Sequence, residues 1–364
     1  MHRPHFAVIA IALCGCLAGG PAAAFEPWNV LAQSRKLLQQ PPWPPGDERG
    51  MANQIGPSTW VRCAWHLGQP NSRSYELSQL RTNTMPLSPF GGPYALKPKP
   101  SAGIPGSVHG FNSEAFGEGA EPAAQATQMD ALGHFAFMPQ PWDGKPPFPA
   151  DSLRYYGGHV QAEVKPGADS PLLKIGIEKA PPLVTSAVLL DAVATMGGGQ
   201  PLRAGELVTR KDIEEMLKAQ RLSKRGILLG DVIYIRTGWG EHWQDPDTEK
   251  TYYAKAPGLA YDAAKFLGER RVVAVGMDTP FIDPVPEGML EGKAGPAAGT
   301  PEGMPFAVHH HLLTQMGIHH VENAKLDQLA RDRVWTSCTM ILPLRDKGAA
   351  GSAVRPVAIG LPGQ

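Results

Sequence analysis

The chain has 364 residues, with 34 basic and 34 acidic side chains, and 42% of its residues are hydrophobic. Zero formal net charge and the lack of a basic block exclude nucleic acid and anionic membrane surfaces as partners. Glycine (41) and proline (37) are frequent but form no periodic tract, which indicates a loop-rich globular fold rather than collagen or disorder.

The N-terminal segment has the features of a secretory signal. Arg3 precedes an apolar run over residues 6–18, and Ala22 and Ala24 supply the small residues that a signal peptidase requires. We therefore predict a signal peptide over 1–24 and a periplasmic or secreted mature protein with no membrane contact. An uncleaved anchor is disfavoured because the run is shorter than the roughly twenty residues that span a bilayer. Lipidation at Cys16 is the other, less favoured, alternative.

Two cysteines remain after this cleavage, Cys63 and Cys338. In an oxidising compartment they could pair. However, Cys338 lies in a β-rich apolar run over 334–342, where a lone cysteine behaves as a small buried hydrophobe. The sequence favours this unpaired interpretation and leaves the disulfide open. Cysteine and histidine spacing excludes a zinc-finger type of structural site.

The mature chain divides into two parts by composition. Residues 25–70, rich in proline, are predicted to be an irregular N-terminal extension, and residues 71–364 a single domain. Loop-rich β structure is expected over 75–190. Helix and strand patterns then alternate, which predicts a mixed α/β architecture; the expected helices begin at Thr209 and cover 259–270 and 308–316, and the expected strands cover 232–237, 271–276, 318–322, 335–342 and 354–359.

The first candidate for chemistry lies around Gln128, Asp130 and His134. In an extended segment alternate side chains share a face, so Gln128 and Asp130 would project together, and His134 follows after a bend at Gly133. This would put an amide, a carboxylate and an imidazole near one pocket. The alternative is a sheet edge with a turn-capping aspartate and a core histidine.

The second candidate is a histidine-rich stretch that contains residues 309–311, 319, 320 and Glu322. A helix from His310 to Met316 would descend about 9 Å, and after a reversal at Gly317 a strand from 318 to 322 would climb back about 13 Å. His310 and Glu322 would then lie at similar height, and histidine with carboxylate is a ligand pair for zinc or manganese. The alternative is a solvated histidine run.

The third candidate is the strand end at 276–284, which contains Asp278, Phe281 and Asp283. Active-site groups of α/β sheets commonly lie at the carboxyl ends of strands, so Asp278 and Phe281 are candidates for substrate binding. Aspartates also simply start turns. The Pro/Gly-rich loop that follows, through Pro305, is a candidate lid.

In their order and spacing these segments resemble the metal-dependent cyclase family, which contains bacterial kynurenine formamidase and isatin hydrolase. The resemblance covers about 75–359 and is carried by the segments 75–78, 129–134, 188–191, 230–239, 276–280, His310 with Glu322, and 342–352. The family signature is His-x-Gly-Thr-His-x-Asp-Ala-x-x-His. Aligned on Asp130 and His134, it puts Ala124 and Gln128 where the family has ligand histidines, whereas His310 and Glu322 keep the family's spacing.

The resemblance implies a mixed, barrel-like β core flanked by helices, of the swivelling β/β/α type, in a homo-oligomer. It also implies hydrolysis of a small non-peptide amide, aryl formamide or lactam by metal-activated water. Asp130, His310, Glu322 and the Gln128 carbonyl oxygen would hold one manganese or zinc ion, and His134 would be the acid/base. The alternative is a non-catalytic small-molecule-binding protein on the same fold, because glutamine is a poor metal ligand but a good hydrogen-bonding residue.

Overall fold

The computed structural model describes residues 43–44, 46–121 and 125–364. The predicted signal peptide and Ala124 lie outside these residues. Within them the strands, in chain order, are β1 (Arg73–Glu76), β2 (Leu96–Pro98), β3 (Ala102–Gly103), β4 (Gly110–Phe111), β5 (Glu114–Phe116), β6 (Gln128–Asp130), β7 (Leu183–Asp191), β8 (Leu207–Val208), β9 (Val232–Arg236), β10 (Gly258–Leu259), β11 (Ala274–Met277), β12 (His319–Glu322), β13 (Thr336–Ile341), β14 (Gly351–Ala353) and β15 (Val357–Gly360).

One mixed sheet dominates the fold. Its nine strands lie in the order β1-β15-β13-β7-β9-β11-β12-β6-β14. The central strands β7, β9, β11 and β12 are parallel, and the flanking pairs are antiparallel. The sheet curls into a half-barrel, which confirms the predicted mixed, barrel-like β core. The pairs β8/β10, β2/β5 and β3/β4 lie outside this sheet.

Helices pack around the sheet, and their limits follow from the sequence. They are α1 (Pro57–Leu67), α2 (Gln161–Val164), α3 (Ala192–Thr195), α4 (Arg210–Ala219), α5 (Tyr261–Glu269), α6 (Ala307–His309), which continues as a π-helix over His310–Met316, and α7 (Asp327–Arg331); short 3₁₀ turns cover Gly50–Gln54, Ala150–Ser152, Tyr156–Gly158, Ile177–Lys179 and Trp239–His242.

Helix α4 shows how a local signal sets a boundary. Thr209 caps it, because its hydroxyl accepts from the Asp212 N–H at 3.3 Å and the Asp212 carboxylate accepts from the Thr209 N–H at 2.8 Å. This reciprocal capping box satisfies two backbone donors that a helix start otherwise leaves unpaired. The apolar residues at helical spacing, Ile213, Met216 and Leu217, are buried against the core.

Two expectations for the region before residue 71 need correction. Residues 57–67 are helical rather than irregular, because Pro57 at the first helical position and Thr59 in the first turn begin α1. The helix packs on β7 and β13, and Cys63 forms a disulfide with Cys338 of β13. The unpaired interpretation was therefore wrong: the sequence pattern of the apolar run could not show that the two Cα atoms, 275 residues apart in sequence, lie 4.4 Å from each other.

The chain reversal that precedes β12 depends on two glycines. Gly317 ends the π-helix in the left-handed region, with φ of 65°, and its carbonyl accepts from the Met51 N–H at 2.7 Å. A Cβ on Gly50 would lie 2.2 Å from that carbonyl oxygen, so both positions require glycine. This packing directs the chain into β12 beside β11.

Among the described residues, no helix combines the length and the apolarity that crossing a bilayer requires.

Candidate functional site

The site is built on the antiparallel pair of β6 and β12. Glu322 lies opposite Gln128, and Val321 lies opposite Met129. Because side chains alternate between the two faces of a strand, His320 and Glu322 share a face with Gln128 and Asp130. Two carboxylates, an imidazole and an amide from strands nearly 200 residues apart in the chain therefore meet on one buried surface.

His309 completes this surface, and Asp283 holds it in place. The Asp283 carboxylate accepts from the backbone N–H groups of Val308 and His309 at 2.8 and 2.9 Å and lies 2.6 Å from His309 Nδ1. Asp283 therefore starts α6 and fixes the orientation of the imidazole at the same time. The other ring nitrogen, Nε2, lies 3.4 Å from Glu322 Oε1 and 3.8 Å from Asp130 Oδ2.

We call Asp130, His309, His320 and Glu322 the four-residue cluster. One ligand-type atom from each lies within 4.8 Å of those of the other three, and all four residues are buried. His320 Nδ1, for example, is 3.7 Å from Asp130 Oδ2. Nitrogen and carboxylate donors in such a group are the set that zinc and manganese prefer.

Unpartnered atoms distinguish this cluster from an ordinary polar core. Asp130 Oδ2, both ring nitrogens of His320 and Gln128 Oε1 are buried and have no hydrogen-bond partner among the described residues. Leaving such groups unpaired typically costs about 1–3 kcal/mol each. A bound cation would satisfy Asp130 Oδ2 and one of the two His320 nitrogens, so the residues present fit a metal ion. The carboxylate behind His309 is also the usual support of a metal-binding imidazole.

Electrostatic coupling inside the cluster is strong. Burial and, to a smaller extent, the neighbouring Asp130 carboxylate raise the pKa of Glu322 to about 7, against the opposing effect of His309. Burial lowers the pKa of His309, but its hydrogen bonds with Asp283 and Glu322 outweigh burial and hold that pKa well above the ordinary value. Burial and the nearby His309 keep the pKa of His320 well below its ordinary value.

A cavity of about 660 Å³ opens beside the cluster. Asp130, His309, Glu322 and Gln128 form part of its lining, and five aromatic side chains form its walls: Phe90, Phe135, Tyr253, Phe281 and Phe306. His134 also lines the cavity; it is exposed, and its ring centroid is 6.3 Å from that of His309. The cavity is of a size that fits a small organic molecule.

The sequence-predicted metal residues are only partly brought together. Asp130, Gln128 and Glu322 meet, and the Gln128 amide donates to Glu322 Oε2 at 3.1 Å. His310 does not join them; its ring packs on Phe137 with centroids 4.8 Å apart. The reason is the phase of the helix: Asp283 starts it so that His309 faces the cluster, and the next residue points about 100° away.

Only one of the two predicted substrate-binding residues lines the cavity. Phe281 lines the cavity. Asp278 does not: its carboxylate is buried and accepts from Thr237 N–H, Thr237 Oγ and Gly238 N–H at 2.7–2.8 Å. Asp278 therefore stabilises the turn after β9. The prediction that it binds substrate is corrected, because its carboxylate is occupied by these hydrogen bonds and does not line the cavity.

Sequence reasoning missed His309 and His320. A signal for His320 was present, because any strand over 318–322 puts residues 320 and 322 on one face. His309 had no comparable signal, since the height estimate that favoured His310 says nothing about the direction of a side chain around the helix axis.

Comparisons with known proteins agree with this fold. The family model described as "Putative cyclase" matches residues 75–284. Two kynurenine formamidases from Bacillus cereus are 35% and 34% identical to this chain over 101 residues, which is 28% of this chain. The match spans only 39% of the length of these curated relatives.

Solved structures extend the comparison over most of the chain. A crystal structure described as a novel cyclase superposes with a TM-score of 0.71 at 25% identity and covers 89% of this chain and 98% of its own. Isatin hydrolase A from Ralstonia solanacearum, with a TM-score of 0.50 at 21% identity and coverage of 84% and 98%, shares the fold. Because the family model matches more than half of its residues, the chain belongs to the cyclase family.

Proposed function

We propose that the protein hydrolyses a small non-peptide amide, an aryl formamide or lactam, at the four-residue cluster. The observation that carries this proposal is the group of buried, unpartnered ligand-type atoms beside an aromatic cavity that also contains His134. The similarity to kynurenine formamidase over 101 residues supports the same reaction class.

Asp130, His309, His320 and Glu322 would hold one zinc or manganese ion. Such an ion supplies a Lewis acid for a carbonyl oxygen and lowers the pKa of water. Asp283 keeps the His309 Nε2 nitrogen directed at the two carboxylates. His134 lines the cavity outside the cluster and would carry a proton to the leaving nitrogen as the acid/base.

The cavity walls favour an uncharged aromatic substrate. Five aromatic side chains can stack on or contact the edge of a ring. None of the described residues that line the cavity is lysine or arginine, so away from the four-residue cluster no guanidinium or ammonium group would pair with a substrate carboxylate. The carboxyl side chains in the lining are Glu121, Asp130 and Glu322.

The test is metal analysis of purified protein from residue 25 onward, followed by a hydrolysis screen with formanilide and isatin. We expect about one divalent ion per chain, turnover that a chelator removes, and recovery on adding zinc or manganese. His134→Ala should keep the ion while turnover falls by about 10² to 10⁴, the usual contribution of a positioned acid/base.

A non-catalytic binding protein is the second candidate, and one observation favours it. The Gln128 amide, where the family has a ligand histidine, hydrogen-bonds to Glu322 and thereby uses a carboxylate oxygen that an ion could take. If the parent protein binds no divalent ion and Gln128→His does not create binding, this candidate replaces the hydrolase.

Export is a further part of the proposal. The Cys63–Cys338 disulfide supports it, because disulfides persist in oxidising compartments such as the periplasm. Mass spectrometry of protein from its native host should find Phe25 at the N-terminus. Intact Met1 or an acylated Cys16 terminus would contradict export by a cleaved signal.

A further inference from the structure

A second pocket, of about 300 Å³, lies next to the aromatic cavity. Two loops, 135–141 and 302–306, form its walls, and His310 is at its base. We call it the side pocket. It shares Phe135 and Phe306 with the cavity beside the cluster, so the two spaces have common walls.

His310 gives the side pocket a defined chemistry. The side chain is only 4% exposed, and its Nδ1 has no hydrogen-bond partner in the part of the chain that the structure describes. Nδ1 itself has almost no accessible surface, so the ring nitrogen that a ligand in the pocket would reach is Nε2, and a hydrogen bond to it would contribute about 0.5–1.5 kcal/mol. No role in the four-residue cluster accounts for His310, because its ring faces Phe137 instead.

The other side chains that line the pocket are mostly apolar and favour an apolar ring for the rest of the ligand. Phe137, Met138, Met304 and Phe306 are half-buried and apolar. The polar residues Gln140 and Glu302 are exposed at the rim. The volume is at the lower end of the range of small-molecule pockets, about 300–1,000 Å³, which suits one aromatic ring.

From these contacts we infer that the side pocket is a subsite for the end of the substrate remote from the amide, and that it takes an aromatic ring with one hydrogen-bonding substituent paired to His310. The subsite role rests on the proposed hydrolase function. Ligand binding in the pocket does not, since it needs neither a metal ion nor turnover.

Phenol is the probe, because it has one ring and one hydroxyl group; toluene is the matched probe without the hydroxyl. Met138 and Met304 are reporters already in the walls, and ¹³C-methyl labelling of methionine makes both visible by NMR. Met138→Leu and Met304→Leu assign the two signals. We expect phenol to shift both methyl signals and to leave that of Met216, buried elsewhere in the core, unchanged.

His310→Phe keeps a planar ring and removes the nitrogens. It should weaken phenol binding about threefold to tenfold, the worth of one net hydrogen bond, without weakening toluene binding. His109→Phe, at an exposed position, is the control and should leave both affinities unchanged. If His310→Phe does not fold, Met304→Trp, which fills the pocket from its wall, should abolish the shift at Met138.

Three results would overturn the inference. They are no phenol-dependent shift at Met138 or Met304, equal phenol affinity in the parent and His310→Phe, and phenol binding that leaves the KM for an aryl formamide unchanged in an active enzyme. Absence of turnover with phenol bound in the pocket would count against the hydrolase proposal, and the binding site itself would stand.

Discussion

Asp130 and Asp278 are both buried aspartates at the carboxyl end of a strand, yet their surroundings differ. Asp278 accepts three hydrogen bonds from Thr237 and Gly238. Asp130 Oδ2 has no hydrogen-bond partner among the described residues and lies 3.7–3.8 Å from two imidazoles. Protein donors satisfy the carboxylate of Asp278, whereas that of Asp130 requires a bound ligand such as a cation.

This difference separates structural from functional carboxylates better than position in the fold does. Both residues met the rule that active-site groups lie at strand ends. Only the hydrogen-bond inventory around each one distinguishes them, because buried polar groups in proteins are nearly always paired. The following variants test whether its hydrogen-bond partners identify the role of each carboxylate.

Asp130→Asn should produce the largest effect. Loss of the carboxylate charge should lower the affinity for zinc or manganese by more than about a hundredfold, the upper end of what loss of a partner behind a ligand costs. The metal-free protein should be no less stable, because the substitution removes a carboxylate that has an oxygen without a hydrogen bond and that repels Glu322. Metal titration with parallel urea unfolding measures both; a stability loss without a loss of metal binding would make Asp130 structural.

Asp278→Asn should show the opposite pattern. The amide would direct its own N–H₂ at backbone donors of Thr237 or Gly238, so the free energy of unfolding should fall by about 1–3 kcal/mol. Metal affinity of the folded protein should stay at the parent value. Loss of metal binding at unchanged stability would show that the satisfied carboxylate takes part in the site.

Asp283→Asn tests the support of His309. The amide keeps an acceptor for one backbone N–H but loses the charge that faces His309 Nδ1 at 2.6 Å. Metal affinity should fall about 10- to 100-fold, with Asp130 and Glu322 still in place. Isothermal titration measures it, and the unchanged affinity of Asp278→Asn is the control.

The pH dependence of the metal-free protein tests the protonation of Glu322. The pKa of Glu322 is about 7 in the folded protein and near its ordinary value of 4.5 when unfolded, so the folded state holds a proton that the unfolded state releases. The contribution of Glu322 to stability should therefore fall as pH rises from 4.5 to 7, by up to about 1.4 kcal/mol per pH unit. The raised pKa of His309 acts in the same direction, with stability lost as pH rises through its folded pKa. The buried histidines with lowered pKa values act in the opposite direction, because their contributions rise with pH up to their ordinary pKa of 6.5; they include His66, His310, His311 and His320.

Urea unfolding at pH 5, 6 and 7 in the presence of a chelator measures this slope. Glu322→Gln lacks the Glu322 contribution, because that side chain does not titrate, so the stability of the variant should increase relative to that of the parent as pH rises from 5 to 7. The same pH dependence in the parent and in Glu322→Gln would show that Glu322 is ionised in the metal-free protein.

The sequence predicted those parts of the fold that depend on local chemistry. Thr209 and Asp212 marked the start of α4, and the apolar runs at β9 and β11 marked strands, which the structure shows to be buried and parallel. The Cys63–Cys338 pairing could not be predicted, because it depends on how α1 packs on β13.

The same distinction applies to the candidate site. Gln128 and Asp130 could be placed on one face by strand alternation, and the same rule applied to Glu322 would have identified His320. The choice between His309 and His310 required a tertiary fact: the Asp283 carboxylate that starts α6, which no local pattern at 306–311 reveals.

The central claim is that the ion is held by the four-residue cluster, which contains His309 and excludes His310. Metal titration of His309→Ala beside His310→Ala tests it most directly, because adjacent histidines are replaced by the same residue. We expect His309→Ala to lose high-affinity binding of zinc or manganese and His310→Ala to keep the affinity of the parent. Retained binding in His309→Ala together with lost binding in His310→Ala would contradict the assignment.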